Sequence, residues 1–336
     1  MKSTHPQKVQ DPGVWLAADI GATRSWVHRL TPEFQDEIEA SVRRAVALGK
    51  SYTDVGLAEF PLPKTRSMLR EVFNDLEEGA GFSVVGDYPV DRFTYEENLI
   101  GYAGVSAHLG TLVDQSYAGA MKADVKDLGL AYGKDVRGYQ SSAMLRFHTD
   151  GAVLTGLLCL QSAVEGGLSV LASSGALSNR ILAERPDLHE ILVAGFHHHR
   201  RGEHAPGDNP VSPAPIPVFA FHDGLLHCTY DRNQSLWSAE EGIVFTPMQI
   251  EAMDYLDALM ARPECQLQME MQQGDIQYLN NFAVMHARTE YRDSDTQKRH
   301  LVRYWIDVPN GKRKGLTTRD LYVRDGSLDV QQSWRQ

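Results

Sequence analysis

His148-Thr149-Asp150, answered far downstream by His286 and then by Arg299 and Arg303, is the set of residues in this chain whose types and spacing could do chemistry. Two imidazoles and one carboxylate can hold one face of an iron(II) ion and leave the opposite face open for substrate, cosubstrate and oxygen. An arginine shortly after the last ligand could hold the far carboxylate of a 2-oxoacid, because its planar fork meets a carboxylate in bidentate fashion, as a lysine does less well. Such a set would belong to an oxygen-activating enzyme. By itself the His-x-Asp pair proves little. With 13 histidines and 44 acidic residues among 336, chance supplies one or two His-x-acid pairs, and one exists.

The elements around these residues change the odds. Met144 to Asp150 alternates like a strand, which turns His148 and Asp150 to one face and Phe147 and Thr149 to the other. Val153 to Ala163 reads as a long apolar strand, Glu165-Gly166-Gly167 as a turn and Leu168 to Ala172 as the return, so a hairpin is expected there. Gly274 to Met285 and His300 to Val308 also read as strands. His286 then ends one strand, and Arg299, 13 residues later, opens another.

Helix signals lie mostly toward the N-terminus or between strands. Thr31-Pro32-Glu33 opens a helix to about Gly49, and Thr65 to Glu78 forms a second. Thr94-x-x-Glu97 is a capping box for a helix to about His108. Ser178 to about Val193 reads as one helix, and Thr246-Pro247-x-Gln249 caps another to about Met260. Helices around many antiparallel strands give a mixed α+β, mainly β class: a β-sandwich or jelly roll with flanking helices. We expect a loose tail over residues 1–12 and one domain over 13–336. Its helical part would span about 13–80 and its jelly-roll core about 81–310, with a polar, proline-rich lid over about 195–217.

Composition bounds the function. The net charge is −11 and the pI about 5.6, which argues against nucleic acid or an anionic membrane as partner. Ordinary solubility explains such a charge equally well. Three cysteines, none at CxxC spacing, fit a reducing compartment and disfavour a disulfide framework or a zinc-thiolate site. The polar N-terminus and the lack of a long apolar run make cytoplasmic the default location.

At these residues the sequence resembles the iron(II)/2-oxoglutarate-dependent dioxygenases of the taurine dioxygenase and clavaminate synthase-like superfamily. The matching pieces run in order: Gly81–Val85, Phe147-His-Thr-Asp-Gly151, Cys159-Leu160 through Gly166-Gly-Leu-Ser169, Gly274-Asp-Ile-Gln277 with Asn280-Asn281, His286-Ala-Arg288, and Arg299-His-Leu-Val-Arg303. The resemblance implies a double-stranded β-helix core with His148, Asp150 and His286 as Fe(II) ligands. It implies Arg299 on the distal carboxylate of 2-oxoglutarate, helped by Ser169 where relatives usually carry threonine. It implies consumption of O2, release of succinate and CO2, and hydroxylation of an unactivated C–H. Desaturation or cyclisation stays open, whereas halogenating relatives replace the carboxylate that Asp150 retains.

The substrate expected is a small carboxylate-bearing metabolite or amino acid. Arg303 could contact its anionic group or form a salt bridge on the barrel wall. Arg146, Tyr139 and Arg232 are further substrate candidates, with Arg146 also suited to pairing with a carboxylate at the rim. Arg288 is expected to stabilise the ligand strand. His197-His198-His199 through His204 reads as part of the lid rather than as a metal site. The tryptophans read as core or rim packing. Two other classes remain: a catalytically silent jelly-roll binder of small molecules, and a zinc hydrolase using the same triad. The sequence leaves the oligomeric state open, with a homodimer as one option.

Overall fold

The computed structural model describes residues 8–222, 224–313 and 317. Its strands, in chain order, are β1 (Val27–Arg29), β2 (Phe82–Gly86), β3 (Thr111–Val113), β4 (Ala123–Val125), β5 (Leu145–His148), β6 (Leu154–Gln161), β7 (Glu165–Gly166), β8 (Ser169–Ser173), β9 (Phe219–His222), β10 (Leu225–Cys228), β11 (Leu267–Met269), β12 (Ile276–Asn280), β13 (Val284–Arg288), β14 (Tyr291–Arg292) and β15 (His300–Asp307). The large sheet runs β1-β2-β12-β6-β15-β3, with β4 also on β15; the small sheet runs β11-β8-β13-β5. Only β1 and β2 pair in parallel within these two sheets. From β4 onward the chain visits large, small, large, small, small, large, small, large. With β7 and β14 in one further two-stranded sheet and β9 and β10 in another, that alternation builds a mixed α+β fold around two main sheets.

Side-chain alternation shows why these segments form strands buried on both faces. In β6, Leu158 joins the cluster under the helices while Leu157 and Cys159 point between the sheets. In β15, Val302, Tyr304 and Ile306 take the helix side, and Leu301 the inner side. In β13, Met285 faces outward and Val284 inward. Both faces are apolar, so the sequence reads as a continuous apolar run rather than a period of two.

Helices α1 (Ala17–Thr23), α2 (Pro32–Ala47), α3 (Arg66–Glu77) and α4 (Tyr95–Ser106) come first, and α5 (Ser174–Glu184), α6 (Pro186–Ala194), α7 (Arg232–Trp237) and α8 (Pro247–Met260) lie within the strand region. Ile38, Val42, Val72, Leu99 and Ile100 bring α2, α3 and α4 onto the outer face of the large sheet. Leu177, Leu188, Leu192 and Leu256 bring α5, α6 and α8 onto the small one. The capping boxes at Thr94 and Thr246 form as expected. Trp15 and Trp26 pack on Phe82.

Three expectations need correction. β6 and β8 are not a hairpin, because they lie in different sheets. Glu165–Gly166 instead pairs with Tyr291–Arg292, and Gly166 and Gly167, at φ 76° and 68°, carry the chain across. The single helix over Ser178 to Val193 is two, since Pro186 cannot continue α5 and restricts Arg185 to a non-helical conformation. Of the expected loose tail, residues 1–7 lie outside the described residues, whereas Val9 is buried and exchanges two hydrogen bonds with Asn179. The described stretch of the expected domain stops short of residue 336, with 314–316 and 318–336 outside it.

A Cβ at Gly166 would lie 2.2 Å from the Glu290 carbonyl oxygen. Gly166→Ala is therefore expected to cost about 1–3 kcal/mol in denaturant unfolding. An unshifted midpoint would show that the crossing turn relaxes freely.

Candidate active site

Antiparallel pairing of β13 with β5 sets His286 directly opposite His148. Their rings lie 4.4 Å apart between centroids. Asp150 follows two residues after His148, just past the end of β5, with its Oδ2 3.7 Å from His286 Nε2. One ligand atom from each of the three lies within 4.8 Å of the others, so the three can close on one ion.

Neighbouring groups set the state of each. His148 Nδ1 lies 2.8 Å from the Arg146 carbonyl. A carbonyl can only accept, so Nδ1 carries the proton and Nε2 keeps its lone pair for a metal. His286 is buried, and burial first, then the neighbouring His148 ring, lowers its pKa to about 3, leaving a neutral imidazole. Burial raises the Asp150 carboxyl, but Arg303, His286, His148 and the Thr155 hydroxyl outweigh it and hold the group at about 2. Thr155 Oγ1 donates to Asp150 Oδ2 at 2.9 Å and Arg303 Nη1 donates to Oδ1 at 2.9 Å. Asn281 Oδ1 accepts from the Asp150 backbone at 2.9 Å, and its amide donates to Thr155 Oγ1 and the Ala152 carbonyl.

The triad stands between two cavities. The inner one, between the sheets, is lined by Ser169, Gln277, Arg288 and Arg299 as well as by the triad. Arg299 is 5% exposed and lies over the Tyr291 ring, 5.0 Å from its centroid. Its Nη1 has no hydrogen-bond partner among the described residues. Burial lowers its pKa, so a nearby anion would relieve it. Ser169 Oγ donates to Gln277 Oε1 at 2.8 Å beside it.

The outer cavity opens over His148 and Asp150. Arg303 lines both cavities, its guanidinium 5.0 Å from each of the Tyr139 and Trp305 ring centroids, with Nε on Gln115. Its ion pair is with Asp150, so the wall salt bridge expected from sequence is made to one of the triad itself. Arg146 and Arg232 reach this cavity, but both pair with Asp257 of α8, and Arg232 also with Asp254. The segment after α6 is not a free polar loop. His198, His199 and Arg200 are buried, and isolated bridges join Phe196 to Ile216 and His199 to Val211. Arg201 donates to the carbonyls of Gly133, Lys134 and Val136, and Glu203 accepts from the Tyr117 backbone and from Arg137.

Sequence reasoning missed Thr155 and Tyr291. Gln277 and Asn281 stood in a quoted motif without a role. Thr155 lies five residues past Asp150, a spacing that carries no signal until the chain is folded.

The donor set fits iron: two neutral imidazoles, one carboxylate and open positions on one side. Two main sheets with such a donor set between them fit a mononuclear non-haem iron oxygenase. The family profile "Taurine catabolism dioxygenase TauD, TfdA family" matches residues 46–305. The chain belongs to this family, the 2-oxoglutarate-dependent non-haem iron dioxygenases. It is 30% identical to FR-33289 synthase of Streptomyces rubellomurinus over 89% of this chain and 90% of that protein. It is 29% identical to the taurine hydroxylase-like protein SAT17 of Stachybotrys chartarum over 86% and 80% of the two chains. Among solved structures, an asparagine oxygenase with Fe(II), 3-hydroxyasparagine and succinate superposes with TM-score 0.67 at 18% identity, covering 89% of this chain and 98% of that one. The non-heme iron oxygenase OrfP with Fe and alpha-ketoglutaric acid gives 0.62 at 16%, covering 84% and 93%. Among the described residues no helix is long and apolar enough to cross a membrane.

Thr155→Val removes the hydroxyl that holds Asp150 Oδ2. It is expected to weaken Co(II) binding by about 10–100-fold, read by absorption titration of the apoprotein. Unchanged affinity would mean that Asp150 is positioned without it.

Proposed function

We propose that His148, Asp150 and His286 hold Fe(II), and that 2-oxoglutarate lies in the inner cavity with its distal carboxylate on Arg299 and Ser169. The protein then hydroxylates a small anionic or zwitterionic metabolite in the outer cavity. The observation that carries this reading is the buried guanidinium of Arg299, with an unpartnered donor, in the same cavity as the triad. When bound, iron with 2-oxoglutarate and O2 supplies the oxidising power: the oxoacid becomes succinate and CO2, and one oxygen atom enters a substrate C–H bond. The chain's own part is to hold and exclude. The Asp150 carboxylate is kept unprotonated, the Arg146 carbonyl holds His148 by Nδ1 so that Nε2 faces the site, Arg299 orients the oxoacid, and the two sheets keep water from the inner cavity.

The substrate class follows from charge. Six basic side chains line the outer cavity, Lys122, Arg137, Arg146, Arg201, Arg232 and Arg303, against three acidic ones, Asp150, Glu203 and Asp231. Asp124, Asp254 and Asp257 behind this wall pair with Lys122, Arg146 and Arg232, so the lining offers cations that an anionic group on the substrate can take over by exchange. Asp231 and Glu203 leave room for an amine, as in an amino acid. The His197–His204 segment acts as part of the lid.

An anaerobic visible spectrum tests the site. A weak charge-transfer band should need both Fe(II) and 2-oxoglutarate, vanish in His148→Ala, and need about 10–100-fold more 2-oxoglutarate in Arg299→Ala. No band in folded protein would sink the proposal. Turnover that proceeds without O2 would instead favour a zinc hydrolase. Succinate release across a panel of amino acids and other small acids then identifies the substrate, and reaction confined to neutral bulky compounds would overturn the charge argument.

A further inference from the structure

The inner cavity holds a second buried arginine beside Arg299. Arg288 follows His286 by two residues on β13, so its side chain points to the same inner face. Its register partner on β8 is Ser169, and it lines the inner cavity with Ser169, Gln277 and Arg299. It is 6% exposed. Its guanidinium lies 4.7 Å from the Tyr291 ring centroid, the same ring that Arg299 lies against. Nη2 donates to the carbonyls of Ser141 and Ala143, but Nε and Nη1 have no hydrogen-bond partner among the described residues.

Other arginines are treated differently by this fold. The partly buried Arg303 is paired with Asp150, and the buried Arg313 with Asp11. Arg288 and Arg299 form no salt bridge among the described residues, although each is buried and each carries like charge against one aromatic ring. Two desolvated cations without a counter-charge are costly, and an anion entering between them offsets the cost. A carboxylate has two oxygens and about four lone-pair sites, enough for a fork from each arginine.

We propose that Arg288 is a second cationic arm of the cosubstrate site, gripping the distal carboxylate of the 2-oxoacid together with Arg299. This rests on the placement of 2-oxoglutarate in the inner cavity. The arm selects for a dicarboxylic oxoacid, because an oxoacid without the second carboxylate leaves both guanidiniums unpaired. It acts on cosubstrate affinity and leaves the metal site alone.

The test measures binding to the full chain loaded with Co(II), without turnover, for 2-oxoglutarate and for 2-oxobutyrate, which lacks the distal carboxylate. Arg288→Gln is expected to weaken 2-oxoglutarate by about 10–100-fold, the loss of one charged hydrogen-bonded contact, and to leave 2-oxobutyrate and Co(II) affinity within about twofold. Arg288→Lys keeps the charge but not the fork and should fall between wild type and Arg288→Gln. It also serves if the glutamine variant is poorly folded. Arg299→Gln is run alongside. Normal 2-oxoglutarate binding in both Arg288 variants, with weak binding in Arg299→Gln, overturns the second arm alone. Equal loss for both oxoacids in the Arg288 variants also overturns it, since that is what slackening of the Ser141–Ala143 tether would give. Failure of wild-type protein to bind 2-oxoglutarate overturns the placement of the cosubstrate and the arm with it.

Discussion

Pairing of β13 with β5 puts His286 across from His148, and the rest of the site is arranged around that register. A slip of one residue would turn one imidazole out of the sandwich, because strand side chains alternate faces. The register is fixed from outside the site. Met285 is locked into the apolar layer under α5, α6 and α8, and Val284 into the layer between the sheets. The apolar neighbours of His286 thus specify where its ring goes. Asp150 needs a separate anchor because it lies beyond the strand end, and Asn281, Thr155 and Arg303 supply it.

The two cavities treat charge in opposite ways. In the outer one most cations already have protein partners: Arg137 with Glu203, Arg146 and Arg232 with the acids of α8, Lys122 with Asp124. Such pairs can be exchanged for a ligand at modest net cost, which suits a site that must release product. In the inner one the guanidiniums of Arg288 and Arg299 have no acidic partner among the described residues. A site with nothing to displace can hold its ligand tightly.

Much of this was legible in the sequence, and the exceptions have physical causes. Helix ends were readable because caps are local: Thr94 and Thr246 each satisfy backbone donors three residues on. The triad was readable because the strand pattern that ends at His148 leaves Asp150 two residues on, just past the strand, and because the motifs around His286 and Arg299 follow in family order. The hairpin failed because a turn with two glycines looks the same whether the chain returns to its own sheet or crosses to another. The choice is made by Tyr291–Arg292, more than a hundred residues away. The split of α5 from α6 was written in Pro186 and given too little weight against the apolar pattern on either side. Arg303 and Arg288 were both noticed, but their partners, Asp150 in one case and the Ser141 and Ala143 carbonyls with the Tyr291 ring in the other, are products of packing between segments distant in sequence.

Glu203 touches the backbone of Tyr117 and the side chain of Arg137, while Arg201, two residues earlier, holds three carbonyls between Gly133 and Val136. Three chain segments that share no secondary structure are thereby knotted at one carboxylate. The mouth of the outer cavity behaves as a drawstring with a single knot rather than as three independent flaps. A change in any one of these segments is therefore felt by the other two, and the mouth's shape is set by the three together.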